Sequence, residues 1–112
     1  MTIRNPSGEV ELEIRMTERG PLLRFRAADV ELEATRDVKV SCNDFHVKAE
    51  GAIVEEAGGD LRQRIRGSAD VKVRGRMTLA ARETRVQAKR GNVQIEANDD
   101  VEILGEKIKL NC

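Results

Sequence analysis

The chain has 112 residues, with 20 Lys+Arg against 20 Asp+Glu, 39% apolar residues and 2% aromatic ones, the size of one small domain. A formal charge of zero at 36% charged residues argues against nucleic acid or an anionic membrane as the main partner, because both call for one sign to dominate. With only Phe25 and Phe45, and no Trp or Tyr, a lone chain of this size buries little apolar area, so oligomerisation is expected.

At the amino terminus, residues 1–8 contain one aliphatic residue, Ile3, and no apolar run follows. No secretion signal is expected, and no stretch approaches the roughly 20 apolar residues that cross a bilayer. The expectation is a chain made in the cytoplasm. Next, the run Val10, Leu12, Ile14, Met16 and the run over 22–26 flank Arg19, Gly20 and Pro21, which predicts a β-hairpin. Residues 1–29 are accordingly expected to form a hairpin and attachment segment ahead of a repeat over 30–112.

From Val30 onward, short alternating apolar runs recur. They are Val30, Leu32, Ala34; Val38, Val40, Cys42; and Phe45, Val47, Ala49. After a looser stretch come Val71, Val73, Gly75; Leu79, Ala81; Val86, Ala88; Val93, Ile95, Ala97; Val101, Ile103, Gly105; and Ile108, Leu110, Cys112. Within the two series, starts are seven or eight residues apart. Alternation of this kind marks a strand with one face buried, since successive side chains point to opposite sides. Between the runs sit turn formers: Asp37, Asn43 with Asp44, Gly51, Gly91 with Asn92, Asn98 with Asp99 and Asp100, and Gly105. The positions facing away are charged, among them Glu31, Lys39, Lys72, Glu96 and Lys109. From 53 to 65 the spacing loosens, with Ile53, Ala57, Leu61 and Ile65 four apart. Two readings remain open there: a helix interrupted by Gly58 and Gly59, or two irregular repeats with Gln63 turned inward.

Strands of about five residues joined by corners of two or three do not match ordinary hairpin turns. A chain that bends by about a third of a turn at each corner builds instead a three-sided prism with its apolar faces inside. Either one chain coils as a solenoid of at most about four turns, or three identical chains wind about one axis. The solenoid leaves Val-rich edges open, whereas intertwining leaves edges only at the ends. Three chains also share one core, which offsets the modest apolar content of each at roughly 25 cal/mol per Å² removed from water. The expected fold is therefore all-β: an intertwined triple-stranded β-helix formed by a homotrimer, on the order of 50 Å long at roughly 4.8 Å per strand. A single chain should be poorly folded alone. Its core and trimer axis are assigned to Val30, Leu32, Val38, Val40, Phe45, Val47, Val71, Val73, Leu79, Val86, Val93, Ile95, Val101, Ile103, Ile108 and Leu110.

Residues 71–111 carry a resemblance, in particular the run Val93, Gln94, Ile95, Glu96, Ala97, Asn98, Asp99, Asp100, Val101, Glu102, Ile103 and the run Gly105, Glu106, Lys107, Ile108, Lys109, Leu110, Asn111. The sequence resembles the carboxy-terminal spike of VgrG-type proteins and phage central tail-spike proteins, over roughly residues 30–112. The resemblance implies a homotrimeric β-helical needle at the tip of a contractile injection apparatus, of the phage-tail or type VI secretion kind, that punctures an envelope mechanically. It implies a hub or baseplate protein at one end, a PAAR-like tip protein or effector at the other, and transient mechanical contact with a membrane. Residues 1–29 are too short for the OB-fold and hub domains that usually precede such spikes, so attachment to a separate hub through the hairpin is expected. Some phage spikes end in a His-x-His iron site; the one histidine here is His46, far from the end, so no iron tip is expected.

No catalytic residue, cofactor or resident metal is expected. His46 alternates outward between Phe45 and Val47, and Cys42 follows Val38 and Val40 inward as a small apolar group. Cys112 continues the register of Ile108 and Leu110; three copies meeting on the axis could hold a soft metal such as zinc, against the plainer reading of a terminal packing residue. Cys42 and Cys112, 70 residues apart, are read as reduced thiols. The pairs Glu55 with Glu56 and Asp99 with Asp100 lack an aromatic platform and read as solvated face or turn. Arg62, Arg64 and Arg66 alternate on one side, but glutamates offset them elsewhere, and no nucleic-acid partner is expected. Two other classes compete: a polymerising β-solenoid scaffold of the bactofilin type, and a phage polysaccharide lyase.

Overall fold

The computed structural model describes residues 1–4, 6 and 11–111. It is all-β, and no helix occurs among the described residues. Three strands, β1 (Thr2–Arg4), β2 (Glu11–Thr17) and β3 (Gly20–Arg26), form one antiparallel sheet in the order β1-β2-β3. The hairpin expected from sequence is β2 with β3. Val10, the first residue of its expected apolar run, lies outside the described residues. Gly20 and Pro21, read from sequence as part of the connection, are the first residues of β3, so the tip is Glu18 and Arg19.

The tip closes by local chemistry. The Thr17 hydroxyl donates to the Gly20 carbonyl at 2.6 Å and accepts from the Arg19 N–H at 3.3 Å. Gly20 takes φ 123°, a conformation that a residue with a Cβ rarely adopts, and it stands just after the two tip residues, where a short loop turns back into its strand. β1 is an addition that the sequence did not suggest. It pairs with β2 through Thr2 opposite Glu13 and Arg4 opposite Glu11, and Ile14 N–H donates to the Met1 carbonyl at 2.6 Å.

Beyond β3 the chain bends at residues 28, 35–36, 43, 50–51, 58–59, 66–67, 74–75, 82–83, 89–91, 98–99, 105–106 and 110. Most of these corners are seven or eight residues apart, and the segments between them are five or six residues long through 104. The looser stretch is thereby resolved: bends at 50–51, 58–59 and 66–67 make it two ordinary segments, 52–57 and 60–65, with Gly58 and Gly59 forming the corner between them. Glycine stands at most corners after residue 50, and at Gly91 it takes φ 85°, where a Cβ would strain the backbone. None of the described segments after Arg26 pairs as a strand within the chain.

By internal contacts the chain divides into two units, Met1–Glu56 and Ala57–Cys112. The first contains the sheet and the corners through 50–51; the second begins just before the corner at 58–59.

Candidate functional site

In three of the segments, side-chain contacts two residues apart fix which face carries the charges. Arg62 Nη2 lies 3.2 Å from Asp60 Oδ2, Lys72 Nζ lies 3.8 Å from Asp70 Oδ2, and Gln94 Nε2 donates to Glu96 Oε2 at 3.4 Å. Residues i and i+2 meet only on the same side of an extended chain, so the residues between them, Leu61, Val71 and Ile95, lie on the opposite side. The alternation read from sequence is thus a property of the folded segments. These exposed pairs contribute little to stability, yet they report the direction of the polar face.

The opposite, apolar face is uncovered. All sixteen residues assigned to a core are exposed in the single chain, from 51% at Val73 and Val101 to 79% at Leu32. No described residue is buried. Counting from the corners puts Ile53, Leu61 and Ile65, whose place the spacing in sequence left open, in the apolar register, and adds Met77, which it did not identify. So does Glu55, between Ile53 and Ala57, which from sequence reads as solvated; Gln63 falls between Leu61 and Ile65 as the second of the two open readings had it. The signal that could have found Glu55 was the glycine at 51 and the pair at 58 and 59, taken as corners rather than as helix breakers. Leu104 faces the other way and is 90% exposed.

The sheet repeats this arrangement. Ile3 opposes Leu12, Leu12 opposes Phe25, Ile14 opposes Leu23 and Met16 opposes Pro21, so one face is wholly apolar. The other face pairs Arg4 with Glu11, Glu11 with Arg26 and Glu13 with Arg24, and Arg4 Nε reaches Glu11 Oε2 at 3.7 Å. Arg15 Nε sits 3.5 Å from Glu13 Oε1 on that same face. On that face Glu11, Glu13, Leu22 and Arg24 are partly shielded, while on the apolar face Leu12 is partly shielded and Ile3, Ile14, Met16, Leu23 and Phe25 are exposed. No residue of either face is buried, so the apolar face lacks the cover that a lone domain usually gives it.

The candidate chemical groups are dispersed. His46 is exposed, and Cys42 is a free, exposed thiol in the same segment as the exposed Val38 and Val40. Cys112, the candidate for an axial thiol cluster, lies outside the described residues. Glu55 and Glu56 fall on opposite faces of their segment, and Asp99 sits in a corner where its Oδ1 accepts from Asn98 Nδ2 at 3.4 Å. Among the described residues no three His, Cys, Asp or Glu side chains come together as a metal site, and no helix is long and apolar enough to cross a membrane. What the chain presents as a surface for function is the apolar face itself, with its charged reverse side. Comparison with protein-family models, with curated proteins and with solved structures found no match.

Proposed function

We propose that this chain is the β-helical spike of a contractile injection apparatus, three copies of it wound about one axis into a stiff puncturing needle. The apolar faces of the three chains meet inside, and the charged faces form the outer wall. The hairpin end docks on a separate hub, and the far end carries a tip protein or effector. The role is mechanical, and no residue is assigned to catalysis. The observation that carries this reading is the run of corners seven or eight residues apart, joining segments whose apolar side is open and which, over residues 29–104, form no strand pairing within the chain. An extended segment left unpaired has unmet N–H and C=O groups, and partners of the same periodicity are the simplest way to pair every one of them.

Light scattering on the purified chain tests this directly. The expected result is a sharp species at three times the 12.5 kDa of one chain, unchanged over a broad concentration range. Open-ended assemblies that grow with concentration would favour a polymerising scaffold, and a compact monomer would remove the needle altogether. A particle purified with the trimer at its distal tip, located by labelling of the amino-terminal end, would place it in the apparatus.

A further inference from the structure

The zero net charge conceals a zoned distribution. Residues 29–60 hold nine Asp+Glu and three Lys+Arg, residues 62–90 hold two and ten, and residues 91–112 hold five and two. The middle zone is therefore +8 between flanks of −6 and −3, and eight of its ten cations are arginines. All of its residues are exposed. Within it only Arg62 and Lys72 have a carboxylate within 4 Å among the described residues.

Four of the arginines are placed by the fold. Arg66, Arg74, Arg82 and Arg90 are eight residues apart, and each stands in a corner, at 66–67, 74–75, 82–83 and 89–91. In the intertwined arrangement proposed above, each corner of a chain lies about one strand spacing, roughly 4.8 Å, further along the axis than the last. Every edge of the prism then carries a ladder of four guanidinium groups, drawn from the three chains in turn, and Arg62 and Arg64 add to the outer face just before it. Like charges stacked at this spacing repel one another, so the arrangement is not a stabilising one for the fold. It is a surface waiting for anions, and arginine matches phosphate by its two-pronged donor geometry.

We propose that the zone over residues 62–90 is a belt that contacts the phosphate headgroups of an anionic bilayer. This inference rests on the puncturing reading. Three equivalent ladders encircle the needle, which suits a ring of headgroups around a rod that enters a membrane; a nucleic-acid duplex would meet one edge and leave the other two unused. The belt also lacks any aromatic side chain on which bases could stack, and it offers no helix to enter a major groove.

The test uses the full chain with vesicles of phosphatidylglycerol and phosphatidylcholine, and vesicles of phosphatidylcholine alone, in a sedimentation assay. Binding is expected to the anionic vesicles only, at about 50 mM salt, and to be lost by about 500 mM. The double variant Arg74→Glu, Arg82→Glu should weaken binding by about tenfold or more, and the milder Arg74→Gln, Arg82→Gln should fall between it and the parent. Lys39→Glu with Lys48→Glu changes net charge equally outside the belt and should leave binding within about twofold of the parent. Equal binding of all variants, equal binding to neutral vesicles, or displacement from the anionic vesicles by a short DNA duplex at equal phosphate concentration would each overturn the lipid contact. Light scattering on the same samples keeps the two readings apart: a monomer that still binds anionic vesicles through residues 62–90 defeats the needle and leaves the contact standing, while a trimer that ignores them does the opposite.

Discussion

Ile95 and Gln94 are adjacent and similar in length, yet their surroundings in an assembled needle differ completely. Gln94 donates to Glu96 at 3.4 Å on the polar face, so Ile95 lies on the apolar one. Ile95→Lys places three ammonium groups at one level of the proposed core, and each costs several kcal/mol to remove from water unpaired. The expected outcome is loss of the trimer in light scattering at any practical concentration. Gln94→Lys, on the wall, is expected to keep the trimer and to change stability by no more than about 0.5 kcal/mol in a thermal melt. A soluble, heat-resistant trimer from Ile95→Lys would contradict the inward assignment. The contrast was legible in the sequence because a strand repeats its side-chain direction every two residues, and Val93, Ile95 and Ala97 advertise that period. Glu55 was not legible in the same way. Val54 on the charged side and Glu55 on the apolar side both depart from the usual polarity, so only the position of the corners assigns Glu55.

At the level of the element, corners define what a segment is. The spacing of four between Ile53, Ala57, Leu61 and Ile65 fits a helix face as well as two short strands, because four residues are about one helical turn and also two pleats on one side of a strand, and the two-residue corner between Ala57 and Leu61 keeps the interval. Gly58 and Gly59 decide the matter at the corner between the segments. Gln63 then falls in the middle of the apolar side of its segment, where a neutral amide must find a partner or lose its hydrogen bonds to water. Gln63→Leu is expected to raise the midpoint of thermal unfolding, by an amount corresponding to about 1–2 kcal/mol per chain. A fall in the midpoint would show that the amide is hydrogen-bonded inside, or that the segment is turned the other way. The hairpin gives the complementary case of backbone control. Gly20 stands at φ 123°, and a Cβ added to it would meet no atom within 4 Å, so the cost of a side chain there is conformational and not steric crowding from neighbours. Gly20→Val is expected to destabilise the sheet by about 1–2 kcal/mol, read as faster amide exchange in β2 and β3 with the trimer mass unchanged. β1 escaped the sequence reading because it is three residues long and holds one apolar residue, Ile3, too little for any alternation to show.

For the whole molecule, the distribution of exposed area is the governing fact. A chain in which no described residue is buried has gained little from the hydrophobic effect, and the conformational entropy of its regularly spaced corners is not offset from within. If three copies supply one another's missing surface, folding and association are a single equilibrium, and stability includes a concentration term. The midpoint of thermal unfolding is then expected to fall by a few degrees for each tenfold dilution, with the circular dichroism signal and the molecular mass lost together. A monomeric solenoid would show a midpoint independent of concentration, because its coils would stack on one another within one chain. An end-to-end polymer would show a mass that rises with concentration while the midpoint of each subunit stays fixed. Function was the least legible level for the same reason. Periodicity in the sequence specifies the two faces and the corner interval of a segment, and these the fold displays; the proposed stiffness, docking and penetration would belong to an assembly of several copies, which the periodicity of one chain does not specify. The charge zones can be counted in the sequence, but the common place of Arg66, Arg74, Arg82 and Arg90 at the bends cannot, and the proposed ladder rests on that place and not on their number.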